Sequence, residues 1–155
     1  MKKGEIYEGI IEKVDFPNKG YVCIDDQKVL IKNGIPGQKV RFMIQKKRSG
    51  RAQGRILEVL EKSPFETRDA VCNNFPACGG CMYQTMSYEN QLVMKETQIR
   101  ELLEEALVRD GQVDKNGQAD FDWEGIHGSP IEFGYRNKME FSFGDEYKDG
   151  PLSLG

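Results

Sequence analysis

Apolar and polar positions alternate in short runs along the first 60 or so residues, and turn residues separate the runs. Glu5–Val14 (EIYEGIIEKV) combines β-branched residues with a polar face and reads as a strand. Gly20–Asp25 (GYVCID) and Lys28–Lys32 (KVLIK) flank Asp26-Gln27, a tight-turn signal, while Pro17-Asn18 and Pro36-Gly37 mark two further turns. Gln38–Lys46 (QKVRFMIQK) and Ala52–Leu60 (AQGRILEVL) bring the count to five strands. Five short strands in so short a stretch predict a small closed β-barrel, because closure removes the exposed strand edges.

The period then changes. Ser63-Pro64 ends the barrel, and residues 63–86 have little periodicity. Ser87 is placed to cap a helix running to about Asp110, with Leu92, Ile99, Leu102, Leu103, Ala106 and Leu107 as its apolar stripe and Gly111 at C′. Residues 111–122 read as a polar loop. Alternation resumes at Trp123–His127, and Arg136–Phe143 (RNKMEFSF) reads as a strand. Met139, Phe141 and Phe143 fall on one side of it, a core-facing set. Residues 150–155 read as a turn and the start of another strand, so the chain is expected to be a piece of a longer one. The expected organisation is a barrel over 1–62, a cysteine loop over 63–86, a helix over 87–110 and an incomplete unit over 111–155.

Composition adds a class. The chain has 155 residues and 17.7 kDa, with 38% hydrophobic and 30% charged residues and a mean hydropathy of −0.61. Aromatics at 10% mark a globular rather than a disordered chain. No apolar run approaches the roughly 20 residues of a membrane span. The opening MKKGEIYEGIIEKV lacks the apolar centre of an export signal. No membrane partner is expected, and the cytoplasm is the expected location.

The net charge of −3 hides an asymmetry. Residues 1–62 carry 14 Lys and Arg against 8 Asp and Glu, while residues 63–155 carry 8 against 17. The basic half is the candidate for nucleic-acid contact. Lys46, Lys47, Arg48 and Arg51 crowd a hairpin tip, and Arg55 follows on the next strand. Gly50 and Gly54 would let a phosphate chain come close. A solvated loop explains the same charges equally well. Tyr7, Phe16, Tyr21 and Phe42 are candidates for base stacking, although some of them must build the core. The carboxylates of the acidic half concentrate on the helix and read as its solvated face.

Three of the four cysteines lie within ten residues, as Cys72-x5-Cys78-Gly-Gly-Cys81. Without an export signal this spacing points to a metal or cluster before a disulfide. Gly79 and Gly80 allow tight folding, so Cys78 and Cys81 can reach one centre. Zinc would need a fourth ligand, for which His127 or Cys23 is available. Cys23 sits on a barrel strand and is expected to be a small buried hydrophobe, and His127 is expected to pack or lie at the surface. Three thiolates from one loop plus a distant fourth also suit an iron–sulfur cluster. A Cys78/Cys81 dithiol lacks the βαβ context of redox proteins.

Several segments together carry a resemblance. They are the basic barrel, the run C-x5-C-G-G-C-x2-Q from Cys72 to Gln84, the helix start Tyr88-x2-Gln91-Leu92-x2-Lys95, and Tyr135-Arg136-Asn137-Lys138-Met139-Glu140-Phe141. This order resembles the N-terminal part of the bacterial RNA uracil-C5 methyltransferases. More narrowly, it resembles the 23S ribosomal RNA branch with a TRAM domain and a [4Fe–4S] cluster. The resemblance covers nearly the whole chain and implies a mixed β and α+β architecture. A small OB-like barrel (TRAM) that binds RNA would be followed by the cysteine loop, one long helix and the start of an antiparallel β central domain.

By the same resemblance, Cys72, Cys78 and Cys81 are cluster ligands and the fourth lies past Gly155. Arg136, Asn137 and Lys138 lie near the RNA. S-adenosylmethionine and the nucleophilic cysteine belong to a catalytic domain absent here. No residue of this chain is then catalytic. The fragment is expected to be inactive and to hold a cluster incompletely or not at all. The alternative is a stand-alone TRAM-type RNA-binding module with a structural zinc site.

Overall fold

A computed structural model describes all residues except 49, 77–79, 136, 137, 139, 146–148 and 155. Six strands form the larger sheet: β1 (Ile6–Ile10), β2 (Lys13–Asp15), β3 (Lys19–Ile24), β4 (Gln27–Lys32), β5 (Lys39–Arg48) and β6 (Arg51–Glu61). Their order is β1-β5-β6-β4-β3-β2, antiparallel throughout except for β4 beside β6.

The single strand expected over Glu5–Val14 is two strands. β1 pairs with β5 and β2 pairs with β3, so the two halves lie at opposite edges of the sheet. The residues joining them bond to both edges. Ile11 N donates to Gln38 O at 2.9 Å and Glu12 N to Tyr21 O at 3.0 Å. The break therefore wraps the sheet round on itself, which alternation alone does not encode. The hairpin between β3 and β4 turns at Asp25-Asp26, both with positive φ (47° and 61°), one residue before the expected position.

The core is that of a small barrel. Ile11, Val14, Val22, Val29, Ile31, Val40, Phe42, Ile44 and Ala52 are buried together. Gly54 belongs to this core and not to a ligand surface. It is buried, and a Cβ there would lie 2.7 Å from Phe42 Cδ2 and 2.8 Å from Ile31 Cδ1. The missing side chain makes room for the Phe42 ring. Of the four barrel aromatics, Phe42 is fully buried, Tyr7 stacks on it, Tyr21 is half-buried under Lys28, and Phe16 is exposed. Cys23 is exposed, contrary to expectation. Gly20 and Val22 take the inward positions of β3, so period-2 alternation turns Cys23 outward, where its thiol meets Glu12 at 3.6 Å.

Helix α1 spans Tyr88–Arg109, close to the expected span. Ser87 Oγ caps it by accepting from Asn90 N at 3.2 Å, and Gly111 follows with φ 76°. Of its apolar stripe, Leu92, Ile99, Ala106 and Leu107 are half-buried, while Leu102 and Leu103 are exposed. Residues 121–131 run beside it, through Trp123 on Glu96 and Ser129 N donating to Tyr88 Oη at 2.6 Å.

Trp123–His127, where alternation resumes, carries no strand, and the strand expected over Arg136–Phe143 falls in part on residues 136, 137 and 139, outside the described residues, with Phe143 in a strand. β7 is Phe143–Asp145 and pairs with β8, Leu152–Leu154. Phe141 and Phe143 are exposed rather than core, because nothing among the described residues packs on this hairpin. Met139 lies outside the described residues. No described helix is long and apolar enough to cross a membrane.

Candidate nucleic-acid interface and cysteine loop

The basic run is a strand ladder, not a loop. β5 and β6 continue to Arg48 and Arg51, and their register pairs Lys46 with Gln53, Lys47 with Ala52 and Arg48 with Arg51. Arg51, Gln53 and Arg55 alternate with the buried Ala52 and Gly54, so both arginines stand on the outer face, with Lys46 on the same side opposite Gln53.

The two ends of this hairpin differ in charge balance. Near its base Lys39 pairs with Glu61 at 2.9 Å, and Arg41 bridges Glu8 at 2.8 Å and Glu58 at 2.5 Å. Near the tip, Lys46, Arg51 and Arg55 are exposed and have no ion pair among the described residues. One end of the barrel therefore holds its cations neutralised, and the other offers them uncompensated, as a polyanion-binding surface requires. The side chain of Arg48 lies outside the described residues. Of the second basic group, Arg136 and Asn137 also lie outside them, and Lys138 is exposed but pairs with Glu140 at 3.1 Å.

The described cysteines are Cys23, Cys72 and Cys81, all free and exposed. Cys78 lies outside the described residues. The loop that carries Cys72 and Cys81 is exposed at both of these residues and anchored at its base. Tyr83 and Met86 are buried with Ile35 of the barrel, and Met94 of α1 packs against them. Glu66 ties three pieces together: its Oε2 accepts from Gln38 Nε2 at 2.9 Å and Ser63 N at 2.7 Å, and its Oε1 from Thr85 Oγ1 at 2.8 Å. Arg68 Nε donates to Gln84 O at 3.0 Å, and its guanidinium meets Glu132 at 2.7 Å. Gln84 Oε1 accepts from Cys72 N at 3.1 Å, which holds the backbone of that cysteine. Burial pushes the phenol of Tyr83 up to about 12.

A protein of Clostridium tetani named uncharacterized RNA methyltransferase is 45% identical over 155 residues, all of this chain and 32% of that protein. A protein of Caldanaerobacter subterraneus with a similar name is 43% identical over 155 residues, again all of this chain and 32% of its own length. Along its whole length the chain is similar to proteins named RNA methyltransferase. A Bacillus cereus protein of similar name is 28% identical over the same 155 residues, 31% of its length. The chain thus spans about a third of the length of the curated relatives it matches. No protein-family model matches it.

Among the described residues no three His, Cys, Asp or Glu side chains gather as a metal site, so Cys23 and His127 do not join Cys72 and Cys81. Two free, exposed thiols on a loop with a fixed base are chemically suited to soft metal ligation. Sequence reasoning missed Glu66 and Arg68, whose roles arise only through partners far along the chain. Gln84 had a signal, its fixed place three residues past Cys81.

Proposed function

We propose that this chain is the RNA-gripping segment of a SAM-dependent RNA methyltransferase that methylates C5 of uracil in 23S ribosomal RNA. The observation that carries the reading is identity of 45% along the whole chain to a protein named RNA methyltransferase. The uncompensated cations at the tip of β5 and β6 support RNA as the partner. The finer assignment to uracil-C5 chemistry and 23S rRNA rests on the motif order from Cys72 to Phe141.

In this reading the barrel at residues 1–62 is a TRAM domain. Lys46, Lys47, Arg48, Arg51 and Arg55 hold backbone phosphates, with Arg136, Asn137 and Lys138 as a second contact. Phosphate contacts of this kind position the enzyme on RNA; they do not choose the base. Phe16 is the barrel aromatic exposed enough to stack on a base.

Cys72, Cys78 and Cys81 would hold a [4Fe–4S] cluster with a fourth ligand from elsewhere in the protein. When bound, such a cluster crosslinks the tip of the loop and does no redox work in the methyl transfer. Gln84 fixes the Cys72 backbone, and Tyr83 and Met86 fix the loop base on the barrel. S-adenosylmethionine, the nucleophile and the general base belong to the rest of the protein, and the enzyme works in the cytoplasm.

The test uses the full-length protein with methyl-labelled S-adenosylmethionine and a 23S rRNA transcript, followed by nucleoside mass spectrometry. The expected product is 5-methyluridine. A label on another nucleoside, or on transfer RNA alone, would replace the substrate assignment. Iron and sulfide analysis of anaerobically purified protein tests the cluster separately.

A further inference from the structure

We infer that the first residues of the chain form a second half of the RNA grip: Lys2 and Lys3 face Lys46 and Lys47 across a shallow cleft that takes backbone phosphates. The inference rests on the RNA reading above and adds to it a contact area outside the β5–β6 tip.

The cleft is lined by Met1, Lys2, Lys3, Gln45, Lys46 and Lys47. Its first wall is a built arm and not a loose tail. The Met1 side chain is only 3% exposed and packs on the barrel core. Gly4 N donates to Ile44 O at 2.8 Å, and Ile44 N returns a bond to Glu5 O at 2.9 Å. Between these anchors the backbone makes a closed turn. Glu5 N donates to Lys2 O at 3.2 Å, Lys2 N donates to Glu5 Oε2 at 2.6 Å, and Gly4 takes φ 90°. From the opposite wall Lys47 Nζ donates to Met1 O at 3.2 Å.

The charges of this cleft favour an anion. Lys2, Lys3 and Lys46 are exposed and have no ion pair among the described residues. The acid of the arm, Glu5, spends its carboxylate on Tyr7 Oη at 2.6 Å and on Lys2 N. Those bonds hold its carboxyl below the usual range and fix it as part of the turn. A preordered backbone lowers the entropy lost when the lysines close on a ligand. Lysine ammonium groups at the two walls of an open cleft suit a chain of phosphates with little base discrimination.

The experiment measures binding of a fluorescein-labelled 23S rRNA transcript to the full-length protein across a salt series. The Lys2→Ala/Lys3→Ala double variant is compared with Arg51→Ala/Arg55→Ala, and a thermal melt checks that each variant folds. Each lost phosphate contact lowers the slope of log affinity against log salt by about 0.7–0.9. The lysine variant is expected to bind several-fold more weakly with a slope shallower by about 1–2. An unchanged affinity, or a loss with an unchanged slope, overturns the proposal. If the arginine variant alone shows the shallower slope, the RNA reading stands without the arm. If neither variant changes it, the RNA reading of the barrel fails too.

Discussion

Gln98 donates its side-chain amide to the carbonyl oxygen of Val14 at 2.7 Å, and it is the buried residue of α1. Helix and barrel are joined by one polar contact under cover. The ion pair beside it, Lys13 with Glu101 at 2.8 Å, is exposed and adds about 0–1 kcal/mol. Gln98→Leu leaves the Val14 carbonyl unpaired and is expected to cost about 1–3 kcal/mol. The loss should concentrate at the helix. Hydrogen exchange is expected to quicken along α1 and to stay slow in β5 and β6; uniform quickening would contradict the local role.

Gly54 separates a packing role from a phosphate role. Gly54→Ala pushes a methyl group into Phe42 and Ile31, and overpacking of this sort costs about 1–3 kcal/mol. A lower urea midpoint with unchanged RNA affinity per folded molecule is expected. Normal stability with weaker RNA binding would return Gly54 to the ligand surface.

Paired and unpaired arginines should behave differently. Arg41 is committed to Glu8 and Glu58, whereas Arg55 is unpaired among the described residues. Arg55→Gln is expected to weaken RNA binding and flatten its salt dependence by about 0.7–0.9. Arg41→Gln is expected to leave the salt slope in place. Equal effects would show that net charge, and not the placement of cations, governs binding.

Tyr83 sets an alkaline limit. Its phenol titrates near 10 when unfolded and is pushed up to about 12 by burial, and its hydroxyl has no partner among the described residues. Between these values the unfolded chain releases a proton that the folded chain keeps, so stability falls as pH rises from about 10 to about 12. Tyr83→Phe removes the titration. From pH 8 to pH 11 the melting temperature of the phenylalanine variant is expected to fall less than that of the unsubstituted protein; an equal fall would place the alkaline limit on other groups.

The cysteine loop gives a last expectation. Cys78→Ser in the full-length protein is expected to lower iron content, loosen residues 80–86 and weaken RNA binding. Unchanged melting and unchanged affinity would count against a structural cluster.

What could be read in advance follows the range of the physics. Strand alternation, the Ser87 cap and Gly111 at C′ need only neighbours a few residues away, so β3 to β6 and α1 were legible within one or two residues, whereas the break between β1 and β2 was not. The same local pattern misled where a partner was required. Glu5–Val14 alternates as one run, yet its halves pair with β5 and with β3 at opposite edges of the sheet. The cation run was legible as charge, but its meaning lay in Glu58, Glu61 and Glu8, which neutralise Lys39 and Arg41 and leave the tip free. The C-G-G-C spacing likewise named the cysteines, while the anchors Glu66 and Arg68 emerged only from contacts across the fold. By itself, the sequence determined the elements and the kinds of chemistry, because both depend on residue type and local spacing. Tertiary structure alone decided that β1 and β2 lie at opposite edges, that Gly54 serves the core and that Lys2 and Lys3 meet Lys46 and Lys47, because each depends on residues brought together by folding.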